Sequence, residues 1–185
     1  MEEEKKKELE EFGIVIDYLP TGKSSSPSPT PIIQIVGEKF FTLLEASVKK
    51  EVKIGDRVFI GKEGRDVVDK IKGKIGYEDL TLNAKNELMN AILKIIENDE
   101  KRFVDIFNKA GPLNIRQHSL ELLPGVGKKH LKQILEEREK KEFSSLDEIN
   151  QRIPLLPNVK RMLAERIISE LSTEQRYYLF VIRKK

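Results

Sequence analysis

Leu120-Glu121-Leu122-Leu123-Pro124-Gly125-Val126-Gly127-Lys128-Lys129 sets the fold expected for this chain. An apolar helix end runs into a Pro-Gly-hydrophobic-Gly loop, and two lysines open a second helical pattern through Leu131, Ile134, Leu135 and Arg138. This is the pattern of a helix-hairpin-helix, with Ile115–Leu123 predicted as its first helix and Lys128–Lys141 as its second. Gly125 supplies the positive φ that ends a helix. Val126 plugs the angle between the helices, and Gly127 lets the backbone approach a partner. The next helix presents unpaired N–H groups and the positive end of its dipole, a place suited to a phosphate. Lys128 and Lys129 sharpen this expectation. Cations in a first helical turn are disfavoured by about 0.3–1 kcal/mol each, a sign that a bound phosphate reverses.

Working outward, the chain repeats itself. Leu156-Pro157-Asn158-Val159-Lys160-Arg161 echoes Leu123-Pro124-Gly125-Val126-Gly127-Lys128, and Met162–Leu171 echoes the helix that follows. Asn158 replaces the first glycine, as a residue that tolerates positive φ. Lys160 replaces the second, so the second hairpin is expected to be mainly structural, with Lys160 and Arg161 adding charge. The nucleic-acid-binding residues expected from this region are Gly125, Val126, Gly127, Lys128, Lys129, Lys132, Lys160 and Arg161.

Upstream, the pattern is that of short strands. Ile14–Tyr18, Ile32–Val36, Lys39–Leu44 and Arg57–Ile60 favour β-structure, a short strand fits Val48–Ile54, and Asp66–Ile75 follows with Val67, Val68, Ile71 and Ile75. Pro20–Pro31 is a Ser/Pro-rich loop. Such spacing predicts a small barrel. From Asp79 the period turns helical, with helices over Ala84–Glu97, N-capped by Thr81, and over Glu100–Lys109. Ser144 or Ser145 caps a connector helix beginning near Leu146. Tyr177–Ile182, YYLFVI, reads as a strand whose natural partner is the N-terminal sheet.

The expected architecture is therefore α+β: a charged arm (1–12), an OB-like β-barrel (13–80), an all-α tandem helix-hairpin-helix domain docked to it (81–172), and a C-terminal strand returning to the barrel with a basic tail (173–185). Composition sets further bounds. The 185 residues are 35% charged yet 38% hydrophobic, enough for a core. There is no Cys, which excludes disulfides and thiolate zinc sites. Many Lys, Glu and Ile with no Cys resemble a hyperthermophile's composition. No apolar run approaches the roughly 20 residues that span a bilayer, and MEEEKKKELEE is no signal peptide, so a cytoplasmic location without membrane partners is expected. Net charge is +3, gathered late: 111–171 carry eleven basic against nine acidic residues, and 172–185 carry four against one.

No HExxH, P-loop or GxGxxG occurs, and the only histidines are His118 and His130. Neither a catalytic residue, a metal nor a cofactor is expected. Tyr18 and Tyr178 are the aromatics best placed for an exposed base-stacking role, against a core role for Phe40, Phe41, Tyr77, Tyr177 and Phe180.

Several segments together resemble an archaeal family of predicted RNA-binding proteins, domain-of-unknown-function family 655: IDYLPTG, QIVGEKFFTLLE, YEDLTLNAKNEL, RFVDIFNKAGPLNIRQHSLELLPGVGKK, FSSLDEINQRI and YYLFV. The resemblance runs from about Gly13 to Ile182. It implies the same two-part architecture and nucleic-acid binding, with RNA and the ribosome or other translation machinery favoured as partners. Two other readings stay open: a DNA-binding protein of repair or replication, and a scaffold that binds protein through its helical part.

Overall fold

Phe12–Leu19 (β1) and Ile32–Gly37 (β2) are rich in β-branched residues, and their central positions are buried on both faces of the sheet. In the computed structural model, which describes residues 9–24 and 29–182, they pair antiparallel, with a bulge between Val15 and Asp17. Leu43–Val48 (β3), Arg57–Phe59 (β4) and Val68–Lys74 (β5) complete one antiparallel sheet in the order β4-β1-β2-β3-β5, curled into a half-barrel. Its interior holds Val15, Ile33, Ile35, Leu44, Ala46, Val58, Ile60 and Val68. The expected arm lies outside the described residues up to residue 8, as do 25–28 of the Ser/Pro loop and the basic residues 183–185.

Polar residues on the opposite face are used rather than hydrated. Buried Asp17 accepts the hydroxyl of Thr81 at 2.5 Å, and buried Gln34 accepts the Thr81 N–H at 2.9 Å. Thr81 Oγ1 in turn accepts the Ala84 N–H at 3.0 Å, capping helix α1 (Leu82–Asn98) as expected.

Two strand expectations are corrected here. Lys39–Thr42 is a turn rather than the start of β3. The buried Glu10 carboxylate accepts the N–H groups of Lys39 (2.8 Å), Phe40 (2.8 Å) and Thr42 (3.1 Å), taking three donors that a strand would use. Within this turn Phe41 has φ 55°, unusual for a bulky residue, and its ring is buried. Val48–Ile54 contributes no strand beyond Val48. Asp56 captures the Lys53 N–H at 2.9 Å, and Gly55, at φ 91°, turns the chain into β4.

The chain divides into two compact units within α1: the first reaches Ala91 and includes Ile182, and the second spans Ile92–Val181. The second unit holds the rest of α1, then α2 (Glu100–Lys109), α3 (Lys128–Lys140), α4 (Leu146–Arg152) and α5 (Val159–Ser172). Leu120, Leu123, Ile134, Leu146, Ile149, Leu163 and Ile167 are buried in it. Arg138 of α3 donates to the carbonyls of Phe107 (3.1 Å) and Ala110 (2.8 Å), satisfying the open end of α2. Ser145 caps α4 through the Glu148 N–H.

Two further expectations fail in this unit. Ile115–Leu123 is not an α-helix. Pro112–Asn114 (β6) and Gln117–His118 (β7) form a small hairpin, followed by a single 3-10 turn, Ser119–Leu122. Side chains outcompete the helix for its backbone: Asn114 accepts the Arg116 N–H (2.9 Å), His118 Nδ1 that of Leu120 (3.1 Å), and Glu121 that of His118 (2.8 Å). Nor is Tyr177–Ile182 a strand of the sheet. Fully buried Glu170, paired with Arg166 at 2.9 Å, accepts the N–H groups of Leu179 (2.7 Å), Phe180 (3.0 Å) and Val181 (3.0 Å). The donors a ladder needs are committed to one carboxylate.

Candidate nucleic-acid interface

The loop between the 3-10 turn and α3 is built as its residue types dictate. Leu123 and Val126 are buried, and the Val126 N–H returns to the Leu123 carbonyl at 3.1 Å. Gly125 has φ 89°. Its α-carbon lies against the ring of Pro157 in the second loop, so the two loops of the repeat touch. Gly127 is the N-cap of α3, with extended φ −92° and ψ −174° and no side chain to cap the helix. A Cβ added there meets nothing within 4 Å. His130 reaches back to the Gly125 carbonyl at 2.8 Å, which puts the ring proton on Nδ1 and braces the loop.

The basic residues are less free than their spacing suggests. Lys128 folds back on Glu121 at 2.8 Å and donates to the Arg116 carbonyl at 2.9 Å. The His118 backbone N–H, and then Lys128, hold the Glu121 carboxyl below its ordinary range. Lys132 faces Glu136 at 3.7 Å, Lys160 faces Asp147 at 3.4 Å and Arg161 pairs with Glu165 at 2.9 Å. Lys129 is exposed and, among the described residues, has no acidic partner. The Lys132–Glu136 and Arg161–Glu165 pairs are exposed, and pairs of that kind contribute about 0–1 kcal/mol.

The two loops differ at the backbone. Asn158 has φ −53°, not the positive φ expected for a glycine replacement, because it serves instead as the N-cap of α5, accepting the Arg161 N–H at 3.0 Å. Asn150 accepts the Val159 N–H at 2.9 Å and donates to the carbonyls of Leu156 and Pro157. The start of α5 is thus occupied from within the chain, and among the described residues no side chain caps that of α3.

Two features near the loop carry no signal in the motif. Ile115, at the tip of the β6–β7 hairpin, is fully exposed at 105%, and Leu155 beside the second loop is 73% exposed. Of the two aromatics expected to be exposed, Tyr18 is half-buried against the half-barrel core, and the hydroxyl of half-buried Tyr178 accepts the Gln175 N–H at 2.9 Å. Among the described residues no three His, Asp or Glu side chains gather as metal ligands, and no helix is long and apolar enough to cross a membrane.

Residues 9–182 match the family model described as "Protein of unknown function (DUF655)". This chain belongs to that family. It is 42% identical over 185 residues to the "Uncharacterized protein MJ0038" of Methanocaldococcus jannaschii, covering 98% of this chain and 84% of that one. It is also similar to the crystal structure of Af1531 from Archaeoglobus fulgidus, another protein with this family model, at TM-score 0.88 and 44% identity. That likeness covers 94% of this chain and all of the Archaeoglobus chain. These DUF655 relatives are archaeal, and the α+β architecture is shared with Af1531.

Proposed function

We propose that this DUF655 protein is a non-catalytic nucleic-acid-binding protein, with RNA favoured over DNA and the translation machinery as its setting. The observation that carries the reading is the unequal start of α3 and α5. Both follow a Leu-Pro-X-Val loop, but only α3 begins at an uncapped glycine in open space. An uncapped N-terminus offers N–H groups and a positive dipole end to one phosphate, with Lys129 beside it. On this reading the loop and its flanking turn act as a helix-hairpin-helix despite the missing first helix. The second hairpin is its structural companion through the Gly125–Pro157 contact, and the half-barrel is OB-like. Phosphate contacts of this kind orient the protein without reading sequence.

The test is a salt series. The intact chain, titrated with labelled single-stranded RNA, structured RNA and duplex DNA, should bind RNA with log K falling linearly in log salt, each phosphate contact adding a slope of roughly 0.7–0.9. Preference for duplex DNA would move the assignment to repair or replication. No binding at low salt would leave a protein-binding scaffold instead.

A further inference from the structure

Among the described residues, the half-barrel leaves two strand edges open. In the order β4-β1-β2-β3-β5 the outer strands do not pair with each other. Both border one cleft of about 220 Å³, floored by Leu44 of β3, Ile60 just after β4, and Ile71 of β5, and rimmed by Lys62, Arg65 and Lys74. The placement of Lys74 depends on a backbone irregularity. In a regular strand, positions three apart face opposite sides. The register of β5 against β3 shifts between Ile71 and Gly73, and this bulge turns Lys74 into the same cleft as Ile71. Arg65 is held in place by its Nε bond to the Gly61 carbonyl at 2.5 Å. Among the described residues no carboxylate pairs with Lys62, Arg65 or Lys74, nor with the exposed Lys70 and Lys72 of the same strand, whereas Lys50 and Arg57 nearby are paired. The one acidic group lining the cleft, Glu10, already accepts three backbone N–H groups.

We propose that this cleft receives an extended, acidic segment of a partner protein, added as a strand along β5, with an aliphatic side chain on the Leu44–Ile60–Ile71 floor and carboxylates at the lysines and Arg65. An open edge is a row of unmatched N–H and C=O groups, which a strand satisfies and alternate side chains make specific. The cations choose the partner's sign. They also disfavour a second copy of this chain, whose own β5 carries the same lysines. A single-stranded nucleic-acid groove combines basic residues with aromatic rings on which bases stack, and no residue lining the cleft is aromatic. The proposal stands apart from the phosphate site at α3.

The experiment uses the intact chain, ¹⁵N-labelled, and an eight-residue peptide of alternating valine and glutamate. Binding should shift the β5 amide signals and protect them from hydrogen exchange. Exchanging glutamate for glutamine in the peptide, or Lys62→Glu, Arg65→Glu and Lys74→Glu together in the protein, should weaken binding at least about tenfold. N-methylation of alternate peptide residues should abolish binding in one phase and spare it in the other, which charge attraction alone does not do. Lys129→Glu should leave peptide binding unchanged. The proposal fails if millimolar peptide leaves β5 unshifted, if both methylation phases bind alike, if β5 self-associates in sedimentation, or if an oligouridylate of equal charge displaces the peptide from the same amides.

Discussion

Gly125 and Pro157 stand so close that a Cβ on the glycine would lie 2.7 Å from the proline Cγ. The glycine therefore answers two demands at once, a φ of 89° and a flat surface for the second loop. Gly125→Ala should destabilise the fold by roughly 1–3 kcal/mol, from the left-handed backbone alone, with the contact adding to that. Pro157→Ala in the same chain should recover the contact part and not the backbone part, so the double-mutant cycle has a non-zero coupling. Urea unfolding midpoints of the four proteins measure it. Strict additivity would show that the loops relax apart.

Gly127 is the opposite case, and its replacement should spare the fold. Gly127→Val should melt within about 0.5 kcal/mol of the parent, beyond the cost of a branched residue at an N-cap, yet lose RNA affinity. Lys129→Glu should weaken all RNA sequences alike and lower the salt slope by about one. Lys160→Glu, which reverses the charge facing Asp147, should cost less than either. A larger loss from Lys160→Glu would place the principal site on the second hairpin.

Replacing Glu170 should release the segment that follows α5. Glu170→Ala strands the buried Arg166 charge and frees the N–H groups of Leu179, Phe180 and Val181. Losing one partner of a buried pair costs roughly 3–5 kcal/mol. Amide exchange at those three residues should accelerate before the rest of the second unit responds. Unchanged protection would assign their order to packing, including Phe180 against Phe103 at 6.0 Å, rather than to the carboxylate.

Acid should act through His118 first. Burial, and then the charge of Arg138, hold its pKa below the ordinary 6.5, and its Nδ1 accepts the Leu120 N–H, a bond that protonation breaks. The folded state binds fewer protons than the unfolded one. This contribution is thus full above pH 6.5 and is lost as pH falls through the folded pKa. Glu148, bonded by the Ser144 hydroxyl and N–H and pushed down to about 2 from 4.5, adds a second loss between those values. NMR titration of the His118 ring, with stability followed from pH 8 to pH 2, checks both signs. A His118 pKa above 6.5 would reverse the first.

Much of this was legible in the residues. Glu100–Lys109 has the predicted bounds, Thr81 and Ser145 cap the helices they were expected to cap, and Leu-Pro-Gly-Val-Gly does end against a helix at Lys128. Three of the misses share a cause. Lys39–Thr42, Ile115–Leu123 and Tyr177–Ile182 have the composition of strand or helix, but Glu10, Glu121 and Glu170 take their backbone N–H groups. For Glu10 the captor lies 29 or more positions away in sequence, beyond the reach of any local pattern. Spacing did place Gly125 and Gly127 in the loop and Lys128 and Lys129 in the first turn of α3. It did not reveal that Lys128 is clasped by Glu121 or that Asn150 fills the start of α5, because both depend on side-chain reach across the fold.

The empty volume around Gly127 separates two kinds of selection. A library of all side chains at this position, sorted for folding by protease resistance, should pass nearly every member, since among the described residues nothing lies within 4 Å of an added Cβ. Sorted for RNA retention under the proposed function, the same library should collapse to glycine and the smallest residues. Gly125 should fail both sorts. A two-way screen of these neighbouring glycines would thereby distinguish a carbon left out to let the protein fold from one left out for the sake of something that docks.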